Sequence, residues 1–137
     1  MIGLCVIAFA LYFIYTHFYK IDTSNLHWAF LARIEDSPDH QSRIGVRLLR
    51  EYENSDVTYI QGIVGEKEAD NHNYTHNSRV VFWQKVDSGS IGQKKTENGI
   101  LENWVEVKWV DSENIQINGI DFKVDKGYDY RRNRVPD

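Results

Sequence analysis

An alternating pattern near the C-terminal end constrains the fold more than any other feature of this sequence. In the segment 104–124, WVEVKWVDSENIQINGIDFKV, the apolar residues Val105 and Val107 alternate with charged ones. A period of two residues is typical of a strand with one buried and one solvated face. A second alternating run ends at Asn118-Gly119, a dipeptide that tolerates positive φ and favours a tight type I′ turn. The segment therefore predicts a three-stranded antiparallel meander.

The N-terminal segment 1–19 contains no charged side chain, and the first one is Lys20. A helix of this length spans roughly 28 Å, close to the hydrocarbon thickness of a bilayer. A cleavable signal peptide would begin with a basic region and end in small residues, and this segment does neither. We therefore predict a transmembrane helix at 1–19, acting as a signal anchor, and a polar tether at 20–27. Cys5 fits a small apolar residue of that helix better than a lipidated one.

The sequence after this helix has the size and charge of one ordinary domain. The chain has 137 residues with 16 basic and 20 acidic side chains, which give a net charge of −4. A mildly acidic domain has no electrostatic reason to bind nucleic acid, so we expect no nucleic-acid partner. No cysteine follows Cys5, so the domain contains no intramolecular disulfide. We expect one β domain at 28–130 without a cofactor, and a basic C-terminal tail at 131–137.

Four further segments have the composition of strands. The first also permits a short helix capped by Ser24 or Asn25, although its alternating residues favour a strand. Leu49 breaks the alternation of the second segment, as a β-bulge would. The third is apolar on both sides, which suits a central strand. The four segments are 26–34, 43–52, 57–65 and 79–87.

Together these patterns predict an all-β fold. We expect the N-terminal transmembrane helix to be followed by a single antiparallel meander or sandwich-like domain of about 6–7 strands. The polar segment 66–78 follows neither the helical nor the strand period, so we predict an exposed loop there. The segment 88–103 contains several glycines and lysines and predicts a second long, mobile connection.

Two histidines in the first predicted loop are weak candidates for metal ligands. His72 and His76 are four residues apart, with Glu68, Asp70 and Tyr74 nearby as oxygen donors. On a helix this spacing would place both imidazoles on one face. The surrounding asparagines disfavour a helix, so a solvated polar loop remains the preferred interpretation and we assign no metal site.

The remaining candidates form a predicted binding surface. Trp83 or Trp104 would be the first residue of such a surface if its ring lies on the solvated face, although packing in the core is the alternative for both. Arg131, Arg132 and Arg134 fit a solvated tail that can also contact anionic lipid or an anionic envelope polymer. The sequence contains no G-x-S-x-G motif and no paired carboxylates in a recognisable arrangement, so we predict no catalytic residues.

Several short motifs, in their order along the chain, resemble the family called domain of unknown function 5412. Such proteins are small membrane-anchored or lipoprotein-like proteins of the Gram-positive envelope. The resemblance implies a small β-rich domain outside the cytoplasmic membrane and brings no catalytic residues. His40 departs from the family pattern, which usually has glycine there, and the segment 88–103 is longer. The matching motifs are Ser37-Pro38-Asp39, a strand ending in Tyr52, Phe82-Trp83, the step from Val107 to Asp111, Ile117-Asn118-Gly119 and the run from Tyr128 to Arg131.

We expect a single-pass membrane protein whose β domain is not an enzyme and binds a protein or a cell-envelope component. Three alternatives remain: an immunity-type protein that neutralises a toxin at the membrane, an envelope hydrolase, and an accessory subunit of a membrane complex. Lys20 and Arg33 lie on the C-terminal side of the helix and favour a cytoplasmic domain by the positive-inside rule. The family resemblance points the other way, and we place the domain outside the cytoplasm.

Overall fold

The computed structural model describes residues 2–68 and 71–133, and it describes the backbone without the side chains at 28–32, 68 and 71–76. The chain begins with helix α1, Ile2–Ile14, which continues as a π-helical turn at Tyr15–Tyr19. The apolar segment Ile2–Tyr19 has 18 residues, a mean hydropathy of 1.8 and no buried residue. By length and composition this helix can cross a membrane, and a signal sequence would have the same properties.

A five-stranded sheet forms the larger layer of the domain. Its order is β1-β2-β3-β4-β10, and all neighbours are antiparallel except β10, which pairs with β4 in parallel. The predicted central strand is β3, which pairs on both sides. The strands are β1 Leu26–Asp36, β2 Ser42–Glu51, β3 Val57–Glu68, β4 Asn71–Asp87 and β10 Tyr128–Asp129.

The second layer is the predicted C-terminal meander. It consists of β7 Val107–Trp109, β8 Asn114–Ile117 and β9 Ile120–Lys123, paired antiparallel in this order. Asn118 and Gly119 have φ of 50° and 80°, as a type I′ turn requires. Between the two layers in sequence lies a separate hairpin of β5 Gly92–Lys95 and β6 Leu101–Trp104, preceded by a 3₁₀ turn at Ser88–Ser90.

The core lies between the five-stranded sheet and the meander. Phe82 of β4 contacts Phe122 of β9, with ring centroids 5.4 Å apart. Gly62 of β3 permits this approach, since a Cβ at this position would lie 3.1 Å from Cδ1 of Ile117. The buried apolar cluster draws on both layers and consists of Ile44, Val46, Leu48, Ile60, Val64, Val81, Phe82, Val105, Val107, Ile115, Ile117, Phe122 and Tyr128.

The all-β fold after an N-terminal helix is confirmed, and the described residues form ten strands. The higher count comes from the hairpin of β5 and β6 and from the short strand β10. The predicted mobile connection 88–103 contains β5 and most of β6. The predicted loop at 66–78 is wrong, because β3 continues to Glu68 and β4 begins at Asn71, with Glu66 opposite His76. Backbone pairing extends this hairpin without an apolar period, which explains why the hydrophobic pattern did not reveal it.

The structure also differs from two local predictions. The segment 26–34 is a strand, as expected, but β1 begins at Leu26, inside the predicted tether at 20–27. The predicted bulge at Leu49 is wrong, because β2 pairs with β3 in unbroken register from Ser42 to Arg50. Leu49 is buried on the face opposite Leu48, so both faces of β2 are covered there. Against β1, the register shifts beside Leu49, between Trp28 and Phe30, but the extra residue belongs to β1; a second shift lies between Leu31 and Arg33.

Candidate functional site

A cleft of about 530 Å³ lies where the end of the apolar helix meets the five-stranded sheet, and we call it the junction cleft. It opens on the sheet face opposite the core, because Tyr59 alternates with the core residue Ile60. Five separate parts of the chain contribute to its lining. The lining residues are Thr16, Lys20, Ile21, Asp22, Asn25, Leu26, Glu51, Tyr52, Glu53, Tyr59, Trp83, Tyr130 and Arg131.

Three aromatic residues line the sheet side of the junction cleft. Gln61 of β3 lies opposite Trp83 of β4, so Tyr59 is the diagonal neighbour of Trp83 on the same face. Their rings stack with centroids 4.9 Å apart and an interplanar angle of 14°. Tyr130 follows β10, and its backbone N–H donates to the carbonyl oxygen of Trp83 at 3.0 Å. The parallel pairing of β10 with β4 thus brings Tyr130 to the stacked pair.

Glu51 connects the charged part of the cleft to the aromatic part. The hydroxyl of Tyr59 donates to Oε1 of Glu51 at 3.0 Å. Burial, and then this carboxylate, raise the pKa of Tyr59 to about 12. Burial also raises the pKa of Tyr130; the guanidinium of Arg131 opposes this effect, and Asp129 and Glu51 add to it. Both phenols therefore remain protonated hydrogen-bond donors at neutral pH.

Arg131 joins the end of the apolar helix to the β domain. Its Nε and Nη2 donate to the two carboxylate oxygens of Asp129 at 2.9 and 2.6 Å. Its Nη1 donates to the backbone oxygens of Lys20 at 2.8 Å and of His17 at 3.2 Å. Asp129 is 2% exposed, and its hydrogen bond raises the pKa of Arg131. This bidentate pair fixes the guanidinium, which in turn holds the last helical carbonyls against the sheet.

The predicted surface residues fall in three different places. Trp83 is 4% exposed and lies in the sheet beside the junction cleft. Trp104 is half-buried at the end of β6, where Arg33 and Lys94 lie 4.1 and 3.7 Å from its ring centroid. Arg132 lies 4.6 Å from the ring centroid of Tyr19 and 3.8 Å from Asp129.

Of the predicted residues, the structure brings Trp83 and Arg131 to one site, and Arg132 lies beside the same helix end. Arg134 lies outside the described residues. The side chains of His72 and His76 also lie outside them, although both backbones belong to β4. Within the side chains that are described, no three or more His, Cys, Asp or Glu residues are grouped so that they could hold a metal ion.

Sequence reasoning missed the residues that complete the junction cleft. Tyr59 falls within the predicted strand 57–65 and Tyr130 within the run from Tyr128 to Arg131, and neither was a candidate site residue. The alternation of β3 does place Tyr59 and Gln61 on one face. The pairing of β10 with β4, which brings Tyr130 and Arg131 to that face, joins residues more than forty positions apart, as in Asp129 opposite Trp83. No local pattern records such a pairing.

No protein-family model matches the sequence, and comparisons with curated proteins and with solved structures find no match.

Proposed function

We propose that this protein is a membrane-anchored, non-enzymatic β domain that binds a protein or a cell-envelope component at the junction cleft. The observation that carries the proposal is the position of the cleft, which is lined on one side by the end of an apolar helix and on the other by the sheet. A ligand in this cleft would meet the chain where it leaves the lipid.

The exposed apolar helix supports the membrane anchor. None of the residues Ile2–Tyr19 is buried against the β domain. Leaving so many large apolar side chains in water is unfavourable, at roughly 25 cal/mol per Å² of apolar surface. Insertion into a bilayer removes that cost, and a helix satisfies all its backbone groups within the segment. The segment lacks the small residues of a cleavage site near Tyr19, which favours retention of the helix over cleavage.

The side chains of the junction cleft support binding. Tyr and Trp rings combine a large apolar surface with a polar atom and are enriched at recognition sites. The hydroxyl of Tyr59 already donates a hydrogen bond to the carboxylate of Glu51, and the raised pKa of Tyr59 keeps its phenol protonated near neutral pH. This is a preorganised surface, which reduces the entropy lost when a ligand binds.

The resemblance to the family called domain of unknown function 5412 supports a location outside the cytoplasm. Lys20 and Arg33 are the opposing signal, and two basic residues determine orientation weakly. Reporter fusions at the C-terminus distinguish the two locations. We expect activity from a reporter that requires export, and an active cytoplasmic reporter with a silent exported one would contradict this orientation.

Photo-crosslinking in native membranes tests the binding function. Tyr52 is 72% exposed at the rim of the junction cleft, so a photoreactive phenylalanine analogue is tolerated there. We expect a discrete crosslinked species from position 52. The matched control is the same analogue at Lys108, an exposed residue of the meander on the opposite layer. The same pattern from both positions, or none from position 52, would overturn the proposal.

A further inference from the structure

We propose that the junction cleft binds an organic cation, an alkylammonium or guanidinium group. The inference rests on the proposed function, since it names the ligand chemistry of the same cleft. Such a group is carried by basic side chains of a protein partner and by amines of lipid headgroups or envelope polymers. The cleft provides the two elements that recognise it, which are aromatic rings and an excess of carboxylates.

The aromatic rings of the cleft are free of the chain's own cations. Among the described side chains, Arg33 and Lys94 lie over Trp104, and Arg132 lies over Tyr19. No described cation lies over any of the four rings that line the cleft, those of Tyr52, Tyr59, Trp83 and Tyr130. Trp83 is 4% exposed and stacks on Tyr59, so a cation from outside can reach the partly exposed rings of Tyr59 and Tyr130 and the exposed ring of Tyr52.

The charge balance of the cleft favours a cation over an anion. Three carboxylates line it, at Asp22, Glu51 and Glu53, against the cations Lys20 and Arg131. The guanidinium of Arg131 is paired with the carboxylate of Asp129 in a bidentate contact. The remaining lining charges are three carboxylates and the ammonium of Lys20, and Glu51 offers a second oxygen beyond the one that accepts from Tyr59.

The carboxylates are felt most clearly at Tyr59. Burial and then the Glu51 carboxylate raise the pKa of Tyr59, and the opposing effect of the Arg131 guanidinium is smaller there. At Tyr130 the guanidinium opposes Asp129 and Glu51 and has a larger effect on the pKa than either carboxylate. An anionic ligand would therefore meet repulsion beside Tyr59 and Glu51. The cleft volume of about 530 Å³ lies within the usual range for small-molecule sites and leaves room for a trimethylammonium group or the end of a lysine side chain.

The test follows the indole resonances of the full chain in detergent micelles, with Trp83→Phe identifying the signal of Trp83. Tetramethylammonium chloride is the probe, and sodium chloride at equal ionic strength is its reference. We expect a saturable shift of the Trp83 resonance with tetramethylammonium alone. An equal shift with sodium chloride, or a shift with acetate and none with tetramethylammonium, would overturn the proposal.

Charge-neutral variants locate the site. We expect Glu51→Gln and Glu53→Gln each to weaken tetramethylammonium binding roughly two- to fivefold. Glu53 is exposed and makes no described side-chain hydrogen bond, so its replacement leaves the fold intact even where Glu51→Gln does not. The matched control is Glu113→Gln, an exposed residue of the β7–β8 turn, which should bind like the wild type. Equal weakening by all three variants would contradict the assignment of the site.

Two further probes distinguish the source of the cation. Lysine amide and arginine amide represent the side chains of a protein partner, and phosphocholine and phosphoethanolamine represent a headgroup. Tighter binding of the two amino-acid amides would indicate a protein partner, and tighter binding of phosphocholine and phosphoethanolamine would indicate a headgroup. If none of the four probes binds, an organic cation is not the ligand. A crosslink from position 52 without cation binding would leave the proposed function in place and refute only this inference.

Discussion

Single residues at the corners of the sheet have the clearest energetic roles. Asp36 ends β1 and accepts hydrogen bonds from Nε of Arg43 at 2.6 Å and from Nζ of Lys67 at 2.8 Å. The hydrogen bond from Arg43 is the main cause that lowers the pKa of Asp36 to about 2, and Lys67 adds to it. Arg43 is only 7% exposed, so the carboxylate of Asp36 stabilises a guanidinium charge that water solvates poorly. Three strands therefore meet at one carboxylate.

We predict that Asp36→Asn lowers the free energy of unfolding by about 1–3 kcal/mol near neutral pH, because it leaves a buried guanidinium without its countercharge. The folded pKa of about 2 lies below the unfolded value of about 3.9. The contribution of this carboxylate is therefore present above about pH 4 and is lost as the pH falls towards 2. Urea unfolding across this range should show the difference between wild type and Asp36→Asn shrinking. Asp125→Asn, at an exposed carboxylate, serves as control, and a pH-independent difference would contradict the assignment.

Two glycines with positive φ give a second prediction. Replacing each with alanine distinguishes the cost of backbone strain from the cost of a steric clash with a neighbouring atom. Gly119 and Gly127 have φ of 80° and 70°, but only at Gly127 would a Cβ crowd a neighbour, at 2.8 Å from the carbonyl oxygen of Val81. We expect Gly119→Ala to cost about 1 kcal/mol of stability and Gly127→Ala about 3 kcal/mol. Gly89→Ala, in open space with no positive φ, should be neutral within about 0.5 kcal/mol. Equal costs at positions 119 and 127 in thermal unfolding would show that crowding is not the cause.

At the scale of elements, hydrophobic periodicity predicted the strands that bury an apolar face in the core. The meander followed from the alternation around Val107 and from Asn118-Gly119, and β3 followed from its two apolar sides. The extension of β3 to Glu68 was not predicted, because this polar part of the hairpin buries no apolar face and shows no hydrophobic period. The junction cleft escaped for another reason: Tyr59 and Tyr130 become neighbours through the strand order, and strand order depends on pairing between distant segments.

The contact between the two layers depends on the smallest side chain at its centre. A Cβ on Gly62 would lie 2.9 Å from Cβ of Phe82 and 3.1 Å from Cδ1 of Ile117. We predict that Gly62→Ala destabilises the domain by about 1–3 kcal/mol, because it overpacks a core with no space to yield. Denaturant unfolding measures the loss. The double variant Gly62→Ala, Ile117→Val removes the nearest methyl group and should be less destabilised than the sum of the two single variants. If the destabilisation of the double variant equals the sum of the two single variants, the strain of Gly62→Ala does not come from Cδ1 of Ile117.

At the scale of the whole molecule, the apolar helix lies outside the buried core. Every residue of the buried apolar cluster belongs to the β domain, and no residue of Ile2–Tyr19 is buried. The helix end is held by Arg131, whose Nη1 bonds two backbone oxygens, and by the contact of Arg132 with Tyr19. These few contacts orient the domain at the helix end, and thereby shape the junction cleft, without contributing to the core.

We predict that a chain beginning at Lys20 folds with a melting temperature within a few degrees of the full chain, because it keeps the whole buried cluster. It should leave the membrane fraction on alkaline carbonate extraction, whereas the full chain should stay. Crosslinking from position 52 should weaken in this shorter chain, since Thr16 and the bond from Arg131 to His17 are lost from the cleft. Thermal unfolding in detergent and in buffer provides the comparison. A shorter chain without a cooperative transition would show that the helix is part of the folding unit, and one that remains in carbonate-washed membranes would show that the β domain itself binds lipid.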